Sequence, residues 1–477
     1  MSDLSESSYS TASRFTHALP WLVAMAFFMQ ALDTTILNTA LPAMAIDLHR
    51  SALDMEGTVI SYAMTVALLI PVSGWLADRY GTRRIFMASV GVFTAGSLFC
   101  ALSTHLPMLV LARIVQGSGG AIMTPVARLA LMRSYSRTEY VKVLSLVTLP
   151  ALLGPVLGPL LGGWLVSVAS WHWVFLINLP VGIAGILLAR SIMPDFRSEG
   201  SPFDVAGFIL FGSGLVAVSL ALETVGGGGV PLTAVAVLGL GGLALLVAYV
   251  RHARRASAPL FSLALFRSRA YNAGVLGNLV TRLGNGGIAL LLPLMMQVGF
   301  GDDARTAGVL MMPVALAAML ATPHLPTLVG RLGFRRTLVG FTLVTSVATA
   351  GLGLISATTP MWITLPLLMA FGAASAVVLV AGNTLALGDV PPELASQGNS
   401  LVTVSQQLSI SLGVACASSV LNLFRPDNAQ GLALVPSFHA TFVVLGIMTL
   451  VSSLVFARLR PGDGRHLQGS APAVHMD

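Results

Sequence analysis

Charge is what this sequence has least of. Only 9% of its 477 residues are Asp, Glu, Lys or Arg, while 55% are hydrophobic; an ordinary soluble domain carries roughly 25% charged residues. No water-facing surface can be built from that composition. Cysteine is nearly absent. Cys100 and Cys416 both fall inside apolar runs, without metal-ligand spacing or local His partners, so neither a disulfide framework nor a zinc site is indicated. No Walker A segment, no Ser/His/Asp triad and no soluble domain is present, which argues against ATP hydrolysis and against an enzyme. The glycine run at 226–229 has no Lys and no nucleotide-binding pattern after it, and reads as a flexible turn. No cofactor and no metal is implied. Energy for any transport then has to come from an ion gradient or from the substrate's own gradient.

What is present is a succession of apolar runs, each about as long as the roughly 20 residues that cross 30 Å of hydrocarbon. Runs and breakers together predict six spans at Phe15–Leu41, Thr58–Leu76, Ile85–Ser103, Leu106–Met132, Val143–Val166 and Trp173–Met193. Two more follow at Val205–Leu222 and Pro231–Val250. A last six lie at Asn272–Gln297, Ala304–Leu328, Thr337–Ile355, Met361–Leu387, Gln397–Leu423 and Phe438–Ala457. The expected architecture is an all-α polytopic membrane protein of about fourteen helices arranged six, two and six. It divides into a first bundle at 1–193, an inserted pair with its linkers at 194–270, and a second bundle with its tail at 271–477. The first run could instead be a secretory signal, with Ala43-Met44-Ala45 as a cleavage site, but it is too long for a signal's apolar core and contains Asp33.

The net charge of +7 could point to nucleic acid, yet the basic residues lie in short loops between spans rather than in one domain. Loops kept in the cytoplasm carry the excess of Lys and Arg. With both termini inside, the inner segments collect cations from Arg14, Arg79, Arg133 and Arg137 through Arg331 to Arg458 and Arg465, whereas the outer segments hold only Arg50, Arg305 and Arg425. A single missed span would invert every later loop, so the consistent bias favours an even count. A repeat supports two related halves: Asp78-Arg79-Tyr80-Gly81-Thr82-Arg83-Arg84 and Gly330-Arg331-Leu332-Gly333-Phe334-Arg335-Arg336 each follow the second helix of a block.

Asp33 stands out on physical grounds alone. A carboxylate deep in a spanning helix costs roughly 2.5 to 3.5 kcal/mol on insertion scales, so its presence points to function. Burial raises such a group's pKa and a nearby cation lowers it, and a balance of the two lets it load and release a proton. Alternatively it is a permanently ionised structural partner of a buried Arg. Arg113 is the candidate partner, because helix rise places the two residues at compatible depths; a purely structural Arg bonded to carbonyls is the other reading. Arg282 interrupts the ninth span and either lines a cavity or anchors a polar bundle interior, while Arg128 has room to snorkel. Gly154, Gly158 and Gly162 lie at i, i+4 and i+8 on one helix face that admits a close neighbour, with Pro155 and Pro159 permitting bends. Ordinary helix packing explains the same stripe. Gln30, Asn38, Gln116, Asn178, Asn285 and Gln297 could line a wet cavity, and Met29, Met295 and Met296 a deformable wall.

Four segments in order resemble the fourteen-helix drug:proton antiporters of the major facilitator superfamily, the EmrB/QacA type. Leu32 to Pro42 looks like their first-helix motif. Gly74-Trp75-Leu76-Ala77-Asp78-Arg79-Tyr80-Gly81-Thr82-Arg83-Arg84 is similar to the superfamily's loop signature. Arg113 to Gly120 resembles the fourth-helix motif, and Gly154-Pro155, Gly158-Pro159 and Gly162-Gly163 the antiporter motif of the fifth. The resemblance implies a multi-pass protein of the bacterial inner membrane that exports small molecules against protons. It associates Arg113 with proton transfer, the fifth helix with control of leak, and Asp78, Arg79, Arg83 and Arg84 with a loop that latches one rocking bundle against the other. The second copy has Gly330 in place of Asp78, so such a latch would be lopsided. The expected partners are the lipid bilayer, protons and a small-molecule substrate, with no nucleic acid; no motif indicates an adaptor protein. A metabolite exporter with amino-acid-like or anionic cargo is the alternative, and a membrane sensor a third that lacks an output domain.

Overall fold

A computed structural model describes residues 3–135, 137–198, 202–226, 231–388, 390–391, 394–426, 431–460 and 462–464. Every described element is helical, as the absence of water in a bilayer core demands of a chain that must satisfy its own backbone groups. The first compact unit comprises residues 1–203 with 303–309. It contains α1 (Asp3–Asp47), α2 (Glu56–Tyr80), α3 (Thr82–Ala101), α4 (Leu106–Ser134), α5 (Arg137–Val168), the short α6 (Trp173–Leu176) and α7 (Asn178–Ile192). Helix α1 packs chiefly on α5, α4 sits against both α2 and α3, and α3 against α7.

The second unit comprises residues 204–302 and 310–477. It holds α8 (Val205–Gly226), α9 (Leu232–Ala253), α10 (Arg269–Asn285), α11 (Ile288–Leu294), most of α12 (Ala304–Ala321), α13 (Leu325–Leu352), α14 (Met361–Gly388), α15 (Ala395–Phe424) and α16 (Val435–Ala457). Its core gathers Phe334, Leu338, Val377, Ala381, Leu385 and Phe456 from α13, α14 and α16. The inserted pair α8 and α9 pack on each other, and α8 rests on α15 through Ser219 and Ser411 hydroxyls 3.4 Å apart and a 2.9 Å bond from Ser419 to the Leu222 carbonyl. Only 11% of the apolar span of α9 is buried, and its exposed side chains, Val237 and Leu240 among them, are placed to face lipid.

Among the described residues, 12 helical segments are long and apolar enough to cross a membrane. Two particulars separate this from the fourteen expected. The expected spans Ala304–Leu328 and Thr337–Ile355 run on as one 49-residue segment, Ala304–Leu352, about 74 Å of helix and more than twice the thickness of the hydrocarbon. The described apolar part of α5, Leu153–Val168, is shorter than a full crossing. The long segment is nonetheless broken inside, because Gly333 has φ 78° and ψ 160° within α13. Gly81, its counterpart in the repeat, has φ 99° and ψ 142° and divides α2 from α3. That left-handed backbone is open to glycine and strained for other residues, so the two repeat copies turn the chain at the same register.

Candidate functional site

Asp33 lies on α1, about 22 Å along the helix from Ala18, and is 1% exposed. Its carboxylate accepts three hydrogen bonds from two other helices. Oδ2 takes Arg113 Nη1 at 2.8 Å; Oδ1 takes Gln116 Nε2 at 2.6 Å and Asn178 Nδ2 at 3.1 Å. Arg113 and Gln116 are three residues apart on α4 and so share a face, while Asn178 opens α7. Ser97 of α3 closes the network, accepting from Gln116 at 2.9 Å and from Asn178 at 3.3 Å.

Arg113 is held by more than its carboxylate. Nη1 also donates to Gln116 Oε1 at 2.6 Å, Nε donates to the Thr58 carbonyl at 3.2 Å, and the guanidinium sits 4.2 Å from the centre of the Tyr62 ring. A cation over an aromatic face contributes about 0.5 to 2 kcal/mol when desolvated. Asp33 is therefore one of several partners that hold Arg113.

The glycine stripe of α5 is the surface on which α1 rests. A Cβ on Gly154 would come within 2.6 Å of the Ala31 methyl, and one on Gly158 or Gly162 would fall on the hydroxyl of Thr35 or Thr39. The same threonines donate across the seam, Thr35 to the Gly154 carbonyl at 3.1 Å and Thr39 to the Pro159 carbonyl at 3.4 Å. Thr35 and Thr39 flank Asp33 two and six residues on, so the seam and the carboxylate ride on one stretch of helix. Gly163 meets the backbone of Ala304 and Gly308 that of Pro159, within the first unit. Pro159 is buried and Pro155 exposed.

The loop residues are bound inside their own unit. Asp78 pairs with Arg133 of α4 at 2.6 Å, and its carbonyl accepts from Ser198 at 3.2 Å. Thr82 exchanges bonds with Pro194 and Phe196, the Arg83 amide donates to Asp195 at 3.2 Å, and Arg83 Nε donates to the Met193 carbonyl. A Cβ on Gly81 would collide with Asp195. Arg79 lies over Trp75 at 5.6 Å, Arg84 is exposed, and Gly74 faces open space.

The remaining candidates scatter. Gln30 spends its amide within the first unit, donating to the Gly120 carbonyl at 3.2 Å and accepting from Thr124. Asn38 is half-buried on α1, outside the Asp33 network. Arg282 and Asn285 belong to the second unit, on α10, and both are half-buried. Met29, Met295 and Met296 are fully packed and form core rather than a cavity wall.

The major facilitator superfamily model matches residues 23–414 of the chain. This chain belongs to that superfamily. Provisionally named multidrug resistance proteins MdtD are similar to it. The one from Serratia proteamaculans is 42% identical over 448 residues, 93% of each chain, and the one from Salmonella dublin 43% identical over 452 residues, 93% of this chain and 94% of its own. Among solved structures, a peptide transporter of the POT family aligns with TM-score 0.70 at 16% identity, covering 94% of this chain and 95% of its own. The nucleoside transporter NupG aligns with TM-score 0.65 at 12% identity, covering 92% and 98%. At those identities the likeness is one of fold.

In this major facilitator protein the sequence marks Asp33 and Arg113 readily and the rest of their shell poorly. Gln116 and Asn178 are apparent as polar residues in spans and as candidates for cavity lining; in the structure both donate to the carboxylate. The available signal was the Arg113 to Gln116 spacing, which fixes them to one face. Ser97 and Tyr62 carry no sequence signal that separates them from other Ser and Tyr residues in apolar helices.

Proposed function

We propose that this chain is a multi-pass transporter of the bacterial inner membrane that exports amphipathic small molecules in exchange for protons, with Asp33 as the proton carrier. The observation that carries the reading is a mid-span carboxylate, 1% exposed, held by Arg113, Gln116 and Asn178. The similarity to the MdtD proteins supports drugs as the cargo class. The matching breaks at Gly81 and Gly333 support fourteen crossings of the EmrB/QacA type, six, two and six, with Ala304–Leu352 counted as two crossings divided at Gly333 and α5 counted whole. The arginine bias of the loops supports cytoplasmic termini.

In alternating access, Asp33 takes a proton from the outside as cargo leaves and gives it up inside as cargo binds. One deep acid implies one proton per cycle. For a monovalent cationic cargo the exchange moves no net charge, and only the pH difference drives it, about 1.4 kcal/mol per unit; a neutral cargo also draws on the potential, about 2.3 kcal/mol per 100 mV. The stripe of α5 limits leak by keeping α1 close, and the loop at 78–84 stiffens one end of the first unit.

The test is accumulation of a cationic dye in inverted vesicles with an acid interior. Wild type accumulates dye and Asp33→Asn does not; unaltered accumulation by Asp33→Asn sinks the proton assignment. A metabolite exporter is the second reading, favoured by the half-buried Arg282. Cells lacking the protein, challenged with cationic dyes and with amino-acid analogues, separate the two by which class becomes more toxic.

A further inference from the structure

Arg282 sits near the middle of the span Arg269–Gly299, about 20 Å of helix from one end and about 26 Å from the other. Its Nε is buried and has no hydrogen-bond partner among the described residues, and it enters none of the ion pairs found among them. None of the candidate spans of the second unit contains an Asp or a Glu. In the first unit the mid-span Arg113 meets the mid-span Asp33, and Arg128, whose buried Nε also has no partner, lies near a helix end over the Phe27 ring; Arg282 has no carboxylate counterpart among the described residues. An uncompensated guanidinium at membrane depth is costly, and such residues pair or mark an ion or substrate path.

The helix is loosened just after it: α10 ends at Asn285, Gly286 and Gly287 keep right-handed helical dihedrals, and α11 resumes at Ile288. Asn278 and Asn285 stand four residues before and three after Arg282, on its face of α10. Asn278 donates to Asn383 at 3.0 Å and to the Leu379 carbonyl at 3.2 Å, while its buried Oδ1 has no partner. It lines a small gap of about 10 Å³, room for about one water, with Asn383, Ser405, Gln406 and Ser409. Ser409 joins that gap to the glycine pair, since its carbonyl would lie 3.2 Å from a Cβ on Gly286.

The geometry points to an anion site in the second unit. Arg282 takes a carboxylate or a comparably small anion. The fork of a guanidinium matches a carboxylate's two oxygens, whereas a spherical anion uses only its charge. The same site accepts either a free anion such as chloride, acting as resident counter-ion, or the anionic group of a cargo. This goes beyond proton coupling at Asp33 and does not depend on it.

The test is calorimetric titration of the full chain in phosphatidylcholine nanodiscs, in zwitterionic buffer, with sodium benzoate and separately with sodium chloride. Saturable binding of at least one anion is expected, weakened about tenfold or more in Arg282→Gln, the loss of one charge-assisted hydrogen bond. Saturable benzoate binding that chloride does not displace assigns the site to an organic carboxylate, and competition by chloride at similar affinity assigns it to a counter-ion. Absence of saturable binding by both anions overturns the proposal, as does an Arg282→Gln protein that binds as tightly as wild type. Should Arg282→Gln fail to fold, Arg282→Lys decides: a several-fold loss for whichever anion binds supports the site, and unchanged affinity overturns it. No proton gradient is present, so proton coupling stands or falls separately.

Discussion

Replacing Asp33 by Asn separates two consequences of the same buried charge. Asn keeps an oxygen that can accept from Gln116 and Asn178, now 2.6 and 3.1 Å away. Its amide nitrogen, however, faces Arg113 Nη1, donor against donor, at a place where the wild type has a 2.8 Å ion pair whose side chains are 2% and 1% exposed. Breaking one partner of such a pair typically costs about 3 to 5 kcal/mol, because the remaining charge is left buried. Arg113 keeps the Thr58 carbonyl, Gln116 Oε1 and the Tyr62 ring, which places this case at the lower end, about 3 kcal/mol. Removing both charges in Asp33→Asn/Arg113→Gln recovers most of that loss, since replacing a whole buried pair is often close to neutral. Thermal unfolding in detergent, followed by tryptophan fluorescence, orders the three: wild type, then the double variant, then Asp33→Asn. Dye accumulation driven by a pH gradient gives a different order, with both variants inactive. A double variant no more stable than Asp33→Asn refutes the uncompensated-charge argument, and a double variant that still couples to the pH gradient refutes the role of this carboxyl.

Gly158→Val places methyl groups on the Thr35 hydroxyl, against backbone of α1 that cannot give way, and is expected to cost about 1 to 3 kcal/mol or more; loss of folded protein at permissive temperature, with Gly158→Ala less affected, checks it. Asp78→Asn removes a half-exposed pair with Arg133 and costs less than about 1 kcal/mol, so unchanged unfolding with a large fall in transport by that variant marks a mechanical role for the loop. Asp204, at the head of α8, is pushed up by burial, but the Gly207 amide, His252 at 2.7 Å and the Leu260 amide outweigh that and hold its carboxyl below the usual carboxylate range. A depressed carboxyl stabilises the fold above its unfolded value of about 3.9 and loses the effect as pH falls through the lower folded value. Asp204→Asn is therefore expected to lower stability at pH 7, by about 1 to 3 kcal/mol for its charge-assisted bonds, and a wild-type advantage that persists unchanged at pH 3 contradicts the assignment.

How far the sequence reaches depends on whether a constraint is local. The crossing segments, Asp33 and the paired loops were legible because each is a property of a short run: apolar length, a carboxylate inside it, an Arg-Gly repeat. The break at Gly333 was legible for the same reason, through its likeness to Gly81, although the helix continues on both sides of it. The shell around Asp33 was not, because it brings together residues of α1, α2, α3, α4 and α7, and only the packing of five helices decides which of several polar side chains turns inward. Gln30 shows the converse. It lies three residues before Asp33 on the same helix, yet it bonds Gly120 and Thr124 because α4 approaches it there without a side chain at Gly120. Arg282 falls between the two cases: its position in a span is local and visible, but the lack of any carboxylate among the spans of its own unit is a property of the whole unit. The two mid-span arginines thus differ in what surrounds them rather than in residue type: one is paired with Asp33, and the other has a buried Nε without a partner among the described residues.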